Sequence, residues 1–362
     1  MFQTAIHPPV LDLRRPEGAA ALARGWQHLA DRASLPTQDA AFVAALRQSL
    51  LMGDELALFQ IESENRFDAL LPLARKAGRL ARWRLAGDDE VFEPGDALCR
   101  DSVAARRLAD LVAQETRPLM LARVPAGSAF VPALVEAMKG RGLVSIRPAT
   151  PCPTIALDES WHEPESRFTS RRRSDFRRAA RRAAEFGALA CESVSPGPEE
   201  FDPLFDQAIK VEAASWKTKA GTAILCDPVK EAFFRAYLKD ASERGACRMA
   251  FLRLGDRIAA MHLAVELCGR HWLYKIGFDE RFAHGSPGTL LMLHAIGDAA
   301  RRGMRSFELM GDSEPWIADL WTRDERPCWQ VRTYPRSLPG AAAWLADAGR
   351  WLQERVVPVP AK

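Results

Sequence analysis

The sequence predicts an α/β (α+β) fold that is divided into two domains. The first observation is length, because 362 residues exceed what one ordinary hydrophobic core holds. The second is that segments of helical and of strand periodicity alternate through both halves. The third is a lapse of apolar periodicity around "DESWHEPESRF", where we place the boundary, near residue 160. We therefore predict a first domain at 1–160, a second at 161–339 and a C-terminal amphipathic helix at 340–362.

Composition and charge exclude several classes of protein. The chain is 48% apolar and 27% charged, as globular proteins are, and a net charge of only +3 gives no whole-chain attraction to nucleic acid. The seven cysteines are scattered without paired spacing, which argues for a reducing compartment and against disulfides or a zinc site. The sequence shows neither a signal-peptide pattern at its start nor an apolar run of membrane-spanning length. We therefore expect a cytoplasmic protein with no metal and no transmembrane segment.

The first half predicts helices with strands between them. Thr37 is a suitable N-cap for the second helix, because its hydroxyl can accept hydrogen bonds from first-turn amides. Two neighbouring strands are close enough in sequence to pair as a hairpin. The predicted order is helix, helix, hairpin, helix, strand, helix and strand, in the segments "GWQHLADRAS", "TQDAAFVAALRQSL", "ELALFQIES" with "RFDALLPLARKAG", "DSVAARRLADLVAQE", "PLMLARVP", "SAFVPALVEAMKGRG" and "LVSIRPATPC".

The second half repeats this alternation and adds a run of three strands. Gly255 and Asp256 form a strong turn signal between the first two of them. The predicted order is helix, strand, two helices, three strands, loop, helix and strand, in the segments "SRRRSDFRRAARRAAEFG", "ALACESV", "PEEFDPLFDQAIKVEAASW", "DPVKEAFFRAYLKDASERG", "CRMAFLRLGD", "RIAAMHLAVELC", "HWLYKIGFD", "ERFAHGSPG", "TLLMLHAIGDAARRG" and "SFELMG".

The first of these helices, Ser170 to Gly187, carries seven arginines in eighteen residues. Its predicted apolar face consists of Phe176, Ala179, Ala180, Ala183 and Phe186. The arginines from Arg171 to Arg182 then lie on the other faces, where they form a solvated basic surface or meet an anionic acceptor or the phosphates of a cofactor. These interpretations stay open at the level of the sequence.

The loop "HGSPGT" precedes a predicted amphipathic helix and follows a predicted strand. The first amides of a helix have no partner within it and carry the positive end of its dipole, so they suit a phosphate. Gly285 and Gly288 let the backbone approach such a group closely, and Pro287 favours the first helical turn. The alternative is an ordinary helix start with no ligand.

An ordered set of segments in the second half resembles a known family. The segments are the arginine-rich helix, "EAASWK" followed by "GTAI", "GDRIAAMHLAV", "SPGTLLMLHAI" and "FELMGDSEPW". Together they resemble the GNAT-related acyltransferases of the FemAB-like and CelD-like type, and "DALLPLARKAG" and "EPGDALCRD" in the first half are similar to the same family. The resemblance implies two tandem GNAT-like (acyl-CoA N-acyltransferase) domains, with mixed central sheets flanked by helices. In that family usually only the second domain keeps the cofactor loop.

The resemblance implies an acyl-CoA-dependent N-acyltransferase. Its donor would be acetyl-CoA or another acyl-CoA, and its acceptor a small amine such as an amino sugar or an envelope or polysaccharide precursor. Within "HWLYKIGFD", Ile276 would offer backbone groups to the pantetheine arm. The residues that would hold the pyrophosphate are Gly285, Ser286, Gly288 and Thr289.

The same resemblance implies candidates for catalysis and acceptor binding. Asp312 and Glu314 would act as base, with His284 and Glu212 as further options, and Tyr274 or Tyr334 would protonate the thiolate. Each of the base candidates also has a simpler interpretation as a solvated charge or a helix cap, and neither tyrosine lies on the helix after the strand, where GNAT enzymes usually place the proton donor. The candidate acceptor-binding residues are Glu212, Trp216, Lys217 and Trp316. Ile317 stands where the family often carries a lysine, which puts either the specificity or the activity in question.

Two other functions remain open. A FemAB-like enzyme would use aminoacyl-tRNA as its donor, and it would bind tRNA in a salt-sensitive way that depends on Arg171–Arg173. A catalytically degenerate GNAT-fold protein would act as a binding partner in polysaccharide biosynthesis. Nucleic acid is expected only under the first alternative, and a homodimer is compatible with all three.

Overall fold

The computed structural model describes residues 10–64, 66–88, 90–91, 93–311 and 314–356, and of 354–356 it describes only the backbone. The chain forms two compact units. The first contains Met1–Pro151 together with Arg326–Lys362, and the second contains Cys152–Glu325.

The elements follow one another in an alternation close to the predicted one. From the first described residue to the strand that crosses the boundary between the units, the elements are β1 (Val10–Asp12), α1 (Pro16–Leu29), α2 (Ala40–Gln48), β2 (Glu55–Ser63), β3 (Arg66–Arg75), β4 (Trp83–Leu85), β5 (Leu98–Cys99), α3 (Ser102–Val112), β6 (Leu119–Pro125), α4 (Phe130–Ala137) and β7 (Gly142–Ala156).

The elements that follow belong to the second unit until the chain returns to the first. They are α5 (Ser170–Ala184), β8 (Leu189–Val194), α6 (Pro198–Ala213), α7 (Trp216–Lys219), α8 (Pro228–Glu243), β9 (Cys247–Leu254), β10 (Arg257–Leu267), β11 (Arg270–Phe278), α9 (Pro287–Arg301), β12 (Ser306–Glu308), α10 (Pro315–Leu320), β13 (Glu325–Pro335) and α11 (Leu338–Val356).

Both units contain a mixed sheet flanked by helices, which confirms the predicted fold class. In the first unit the strand order is β1-β2-β3-β4-β6-β13-β7, with β5 beside β3, and in the second it is β7-β12-β11-β10-β9-β8. The pair β4–β6 is parallel, as is the pair β11–β12. No helix in the described ranges has both the length and the hydropathy that crossing a bilayer requires.

The two compact units divide the chain differently from the predicted domains, because the first boundary falls after Pro151 rather than near residue 160 and the C-terminal residues from Arg326 onward belong to the first unit. The sequence places 326–339 in the second domain, whereas β13 pairs with β6 of the first unit, with Val331 opposite Leu121. Val331 is fully buried in the core that α3 and α4 form on this sheet. No strand is predicted over β13 from the sequence, because Pro327 interrupts its alternation and local periodicity contains no information about a distant partner.

Two helix starts also differ from the sequence-based expectation. The first helix begins at Pro16, nine residues before the predicted segment, because proline suits the first helical position. The N-cap of α2 is Asp39, whose carboxylate accepts from Ala41 N at 3.0 Å. Thr37, predicted as this cap, instead donates its hydroxyl to Pro94 O at 2.7 Å. The acidic residue closer to the apolar run is therefore the cap.

A buried carboxylate holds α11 to its unit. Asp347 is 6% exposed, and its Oδ2 accepts from Arg82 Nη1 at 2.6 Å and from Tyr334 Oη at 2.8 Å. Arg332 lies 3.1 Å from the same oxygen, and Arg350 also pairs with the carboxylate. Burial alone would raise the pKa of Asp347, but these donors outweigh it and keep the pKa well below the ordinary range.

We expect Asp347→Asn to destabilise the protein by about 2 kcal/mol near neutral pH. Because the folded-state pKa is depressed, the carboxylate stabilises above its unfolded pKa of about 4 and loses that contribution as the pH falls further. Urea unfolding of both proteins should therefore show a difference at neutral pH that shrinks toward pH 3. The control is Glu136→Gln in an exposed ion pair with Lys139, which should change stability by less than about 0.5 kcal/mol. A difference that stays constant with pH would contradict the assignment.

In the second unit, the apolar face of α5 is placed as predicted. Phe176, Ala179 and Ala183 are buried against the sheet and α9. The helix ends at Ala184, and Gly187 follows with φ 144°, a conformation that favours glycine. A Cβ on Gly187 would also lie 2.8 Å from Gly255 N, so the glycine after α5 allows the β9–β10 turn to approach closely.

Strands β11 and β12 separate after a short parallel contact. Their pairing extends only from Arg270 with Ser306 to Trp272 with Glu308. Beyond it, β11 continues along β10 to Phe278, while Leu309 N donates to Pro153 O on the other side at 3.1 Å. The sheet therefore opens between these two strands, and α9 connects them.

Candidate functional site

A cleft of about 620 Å³ lies where β11 and β12 separate. One wall is β11 itself, from Leu273 to Phe278, and the opposite wall is formed by residues 309–311 and α10. The start of α9 lines the cleft on one side of the sheet and the start of α7 on the other. The side chains and backbone groups that line it belong to Ser215, Trp216, Lys217, His262, Leu273, Tyr274, Lys275, Ile276, Gly277, Phe278, Gly288, Thr289, Met292, Leu309, Met310, Gly311, Glu314, Trp316, Ile317, Leu320 and Trp321.

A buried ion pair joins α6 and α7 to the middle of β11. Ser215 caps α7 by accepting from Lys217 N, which directs the lysine toward the strand. Lys217 Nζ donates to Ile276 O at 2.5 Å and to Glu212 Oε1 at 3.2 Å. Glu212 is fully buried, and its second oxygen accepts from Ile224 N at 2.9 Å. Glu212 is therefore the counter-ion of Lys217 and lies behind it, outside the lining of the cleft.

Gly277 permits this close approach of α6 to β11. A Cβ at this position would lie 2.7 Å from the Cα of Glu212, which is backbone and cannot move aside without shifting the helix. Glycine is therefore required by packing. The tight contact brings Glu212 close enough to meet Lys217 beneath the strand.

At the start of α9, only part of the predicted phosphate loop faces the cleft. Gly288 and Thr289 line it, immediately after Pro287 at the first helical position. Ser286 is the N-cap in a left-handed conformation, with φ 49°, and Gly285 is buried against α5, where a Cβ would lie 2.8 Å from Ala183 Cα. Gly285 is thus explained by packing between α5 and the loop, and neither it nor Ser286 lines the cleft.

The opposite wall carries two of the other predicted residues at its rim. Glu314 and Trp316 are exposed, and Trp316 donates its indole N–H to the Glu314 carboxylate. Asp312, predicted as a base, lies outside the described residues. Ile317 lines the cleft and is only 4% exposed, because it packs into the apolar cluster beneath α9 with Trp321 and Phe307.

The two tyrosine candidates lie in different units. Tyr274 lines the cleft, and its ring makes edge contacts with Phe234 and Tyr237 at centroid distances of 6.1 and 5.7 Å. Tyr334 lies in the first unit and donates to Asp347. Tyr334 is thus part of the α11 anchor, and of the two only Tyr274 is near the cleft.

His262 is a cleft residue that the sequence analysis did not identify. It lies on β10 opposite Ile276 and is 3% exposed, and its Nδ1 has no hydrogen-bond partner among the described residues. Burial, together with the neighbouring His271, His294 and Lys217, lowers the pKa of His262 to about 3. The only sequence signal was a single histidine inside the apolar strand "RIAAMHLAVELC", a pattern that core histidines share.

Most of the predicted site residues therefore meet in one place. Those that line the cleft are Trp216, Lys217, Tyr274, Ile276, Gly288, Thr289, Glu314 and Trp316. Glu212, Gly285 and Ser286 lie just outside it. Within the described part of the chain, no three His, Cys, Asp or Glu side chains are grouped so that they could hold a metal ion.

Comparison with known proteins identifies the fold. Residues 170–316, which include α5 to the start of α10 and most of the cleft, match the family described as Acetyltransferase (GNAT) domain. Among curated proteins no sequence matches the chain.

Three solved structures share the fold over most of the chain. FemX covers 88% of this chain and 98% of its own, with a TM-score of 0.57 and 11% identity. A conserved protein of unknown function from Bacteroides thetaiotaomicron covers 90% and 99%, with a TM-score of 0.54 and 10% identity. The C-terminal domain of a protein assigned as lysylphosphatidylglycerol synthetase from Agrobacterium fabrum covers 91% and 96%, with a TM-score of 0.52 and 14% identity. At these identities the likeness concerns the fold alone. The predicted GNAT-like fold is thereby confirmed, whereas the CelD-type part of the resemblance stays a prediction.

Proposed function

We propose that the protein is an acyl-CoA-dependent N-acyltransferase that transfers an acetyl group to a small amine. The observation that best supports this proposal is the cleft between the diverging strands β11 and β12, which is lined by the start of α9. It offers an extended backbone and a helix N-terminus side by side in the GNAT-matched part of the chain.

The α9 end of the cleft suits the phosphates of coenzyme A. The helix has 15 residues, so its N-terminus carries the positive end of a full helix dipole. Gly288 has no side chain, and the nearest atom to a Cβ placed there is Phe278 Cδ1 at 3.5 Å, so the approach to the helix is unobstructed. The residues present therefore fit an anionic group at this end.

The β11 wall suits the extended arm of the same cofactor. From Leu273 to Phe278 the strand pairs with β10 on one edge and has no described strand partner on the β12 side. Backbone groups on that edge can accept and donate hydrogen bonds to an amide-containing chain. Ile276 O already accepts from Lys217 Nζ, so Lys217 holds this section of the wall in place.

The two exposed tryptophans of the cleft lining suit an acceptor with a flat apolar face. Trp216 and Trp316 are 52% and 38% exposed, which is unusual for large aromatic side chains unless they contact a ligand or partner. A sugar ring could pack against such surfaces while Glu314 interacts with its amine. We therefore keep an amino sugar, or an envelope or polysaccharide precursor that contains one, as the leading acceptor class.

The test is binding followed by turnover. We expect CoA and acetyl-CoA to raise the Tm of the protein and to give a saturable binding isotherm, since a ligand that binds only the folded state stabilises it. Thiol release should then follow when amino sugars are added with acetyl-CoA. A protein that ignores CoA, acetyl-CoA and longer acyl-CoAs would refute the proposal. Binding without turnover over a broad amine panel would instead favour the degenerate binding protein.

A second candidate function rests on α5. Six of its arginines are exposed, and of these only Arg178 has a described ion-pair partner, Asp175. Such a surface suits a polyanion, and the aminoacyl-tRNA-dependent alternative would use it. In that case the protein would bind tRNA with steep salt dependence, and replacing Arg171–Arg173 by Gln would reduce both the affinity and the salt slope. Absence of tRNA binding at low salt would exclude it.

A further inference from the structure

The proposed reaction needs a group that moves a proton from the amine to the leaving thiolate. Five described residues with titratable side chains line the cleft, namely Lys217, His262, Tyr274, Lys275 and Glu314. Their surroundings decide which of them can act as the proton acceptor, because such a group needs an available lone pair and must lie inside the cleft.

The two lysines are already engaged in other contacts. The Lys217 side chain donates to Ile276 O and to the Glu212 carboxylate, so it is part of the wall. Lys275 Nζ lies 4.9 Å from the centroid of the Phe234 ring, as in a cation–π contact. Neither nitrogen is therefore placed to accept a proton from a bound amine.

Glu314 and Tyr274 are less well placed than His262 to accept a proton inside the cleft. Glu314 is exposed at the rim, where its carboxylate accepts from the Trp316 indole. The Tyr274 ring is held between Phe234 and Tyr237 of α8, so it faces the α8 side of the sheet. His262 lies instead opposite Ile276 at the middle of the β11 wall, where the pantetheine arm and the reacting carbonyl would lie.

A buried nitrogen without a partner is costly. Native folds pair nearly all buried polar groups, because an unpaired one is destabilising. Among the described residues no carboxylate acts on His262, since the groups that do are Lys217 from α7, His271 from β11 and His294 from α9. These neighbours and the burial keep the imidazole neutral near pH 7, so one ring nitrogen retains its lone pair.

We propose that His262 is the proton relay of the acyl transfer, taking a proton from the attacking amine and giving it to the departing sulfur. This inference rests on the proposed function and assigns a catalytic residue to it. It also supplies the thiolate's proton donor, which neither tyrosine provides.

The proposed relay conserves both atoms and charge. The neutral amine nitrogen bonds to the thioester carbonyl carbon, which places a positive charge on nitrogen and a negative charge on oxygen. The imidazole of His262 accepts one N–H proton, directly or through a water molecule. The carbonyl then re-forms, the C–S bond breaks, and the imidazolium returns the proton to the thiolate. The products are the amide and the free thiol, with no net proton released.

The environment of His262 favours the second half of this relay, the return of the proton. Formation of the C–N bond lowers the proton affinity of the amine nitrogen, which assists the first transfer to this weak base. The imidazolium is then a strong acid, because burial and the neighbouring cation lower the pKa of His262. It therefore transfers the proton readily to sulfur.

Two substitutions test the relay. His262→Asn keeps a hydrogen-bonding atom near the Nδ1 position but cannot carry a proton, and His262→Ala removes the ring. We expect both to lower kcat by about 100-fold or more, with KM and CoA affinity within about threefold of wild type. Added imidazole should restore part of the kcat of His262→Ala. The matched control is His162→Asn, an exposed histidine outside the cleft lining, which should leave kcat unchanged.

The outcomes separate this inference from the function on which it rests. Wild-type protein that does not bind acetyl-CoA would overturn both. Wild-type turnover with His262→Asn retaining more than about a third of kcat would overturn the relay and leave the proposed function standing. A loss in His262→Ala that imidazole does not reverse, with Asn fully active, would show a packing role and would also overturn it.

Discussion

Gly288→Glu is expected to weaken coenzyme A binding strongly while leaving the fold intact. Gly288 occupies the first turn of α9 and lines the cleft, and the site has room for a Cβ. A glutamate there favours the helix, because acidic side chains in the first turn complement the dipole. The same charge would face the pyrophosphate. Two like charges about 5 Å apart at an effective dielectric constant near 20 repel by about 3 kcal/mol, so affinity should fall on the order of 100-fold.

The matched control is Gly288→Gln, which adds nearly the same volume without the charge. We expect it to weaken binding less than Glu does, and the gap between the two variants should narrow as salt is added, since screening reduces charge repulsion. Isothermal titration with CoA measures the affinities, and circular dichroism checks the fold. Equal affinity for the Glu variant and wild type would place the phosphates elsewhere.

Glu212→Ala is expected to destabilise the protein by about 3–5 kcal/mol, the usual cost of removing one partner from a buried ion pair. Glu212 is fully buried, and its loss leaves the Lys217 ammonium without its counter-ion and Ile224 N without its acceptor. Because Lys217 Nζ also donates to Ile276 O, the middle of β11 should lose a constraint as well. Urea unfolding measures the stability change, and CoA titration measures the effect on the cleft.

A double-mutant cycle identifies the cause. In a Lys217→Met background the buried cation is absent, so Glu212→Ala should cost less than it does in wild type. Glu280→Gln serves as the exposed control, because its partner Lys219 is 79% exposed and the pair should contribute less than about 0.5 kcal/mol. If Glu212→Ala costs the same with and without Lys217, the ion pair is not what the carboxylate stabilises.

The sequence by itself determined most of the local structure and the neighbourhood of the site. The apolar spacing in α5 predicted its buried face, and the loop before α9 was recognised from glycine, proline and the amphipathic run that follows. These features depend on residues a few positions apart, so a linear pattern contains them. The ordered segments also predicted the GNAT fold, and eight of the predicted site residues line one cleft.

Only the tertiary structure decided which residues share an environment. It paired β13 with β6, it placed Tyr334 beside Asp347 in the first unit, and it showed that Gly285 packs against α5 rather than lining the cleft. It also showed His262 with an unpartnered nitrogen beneath the β11 wall. Each of these depends on contacts between segments far apart in the chain. Hydrophobic periodicity specifies which face of an element is buried, but not which element covers it, so such contacts follow from the packed fold alone.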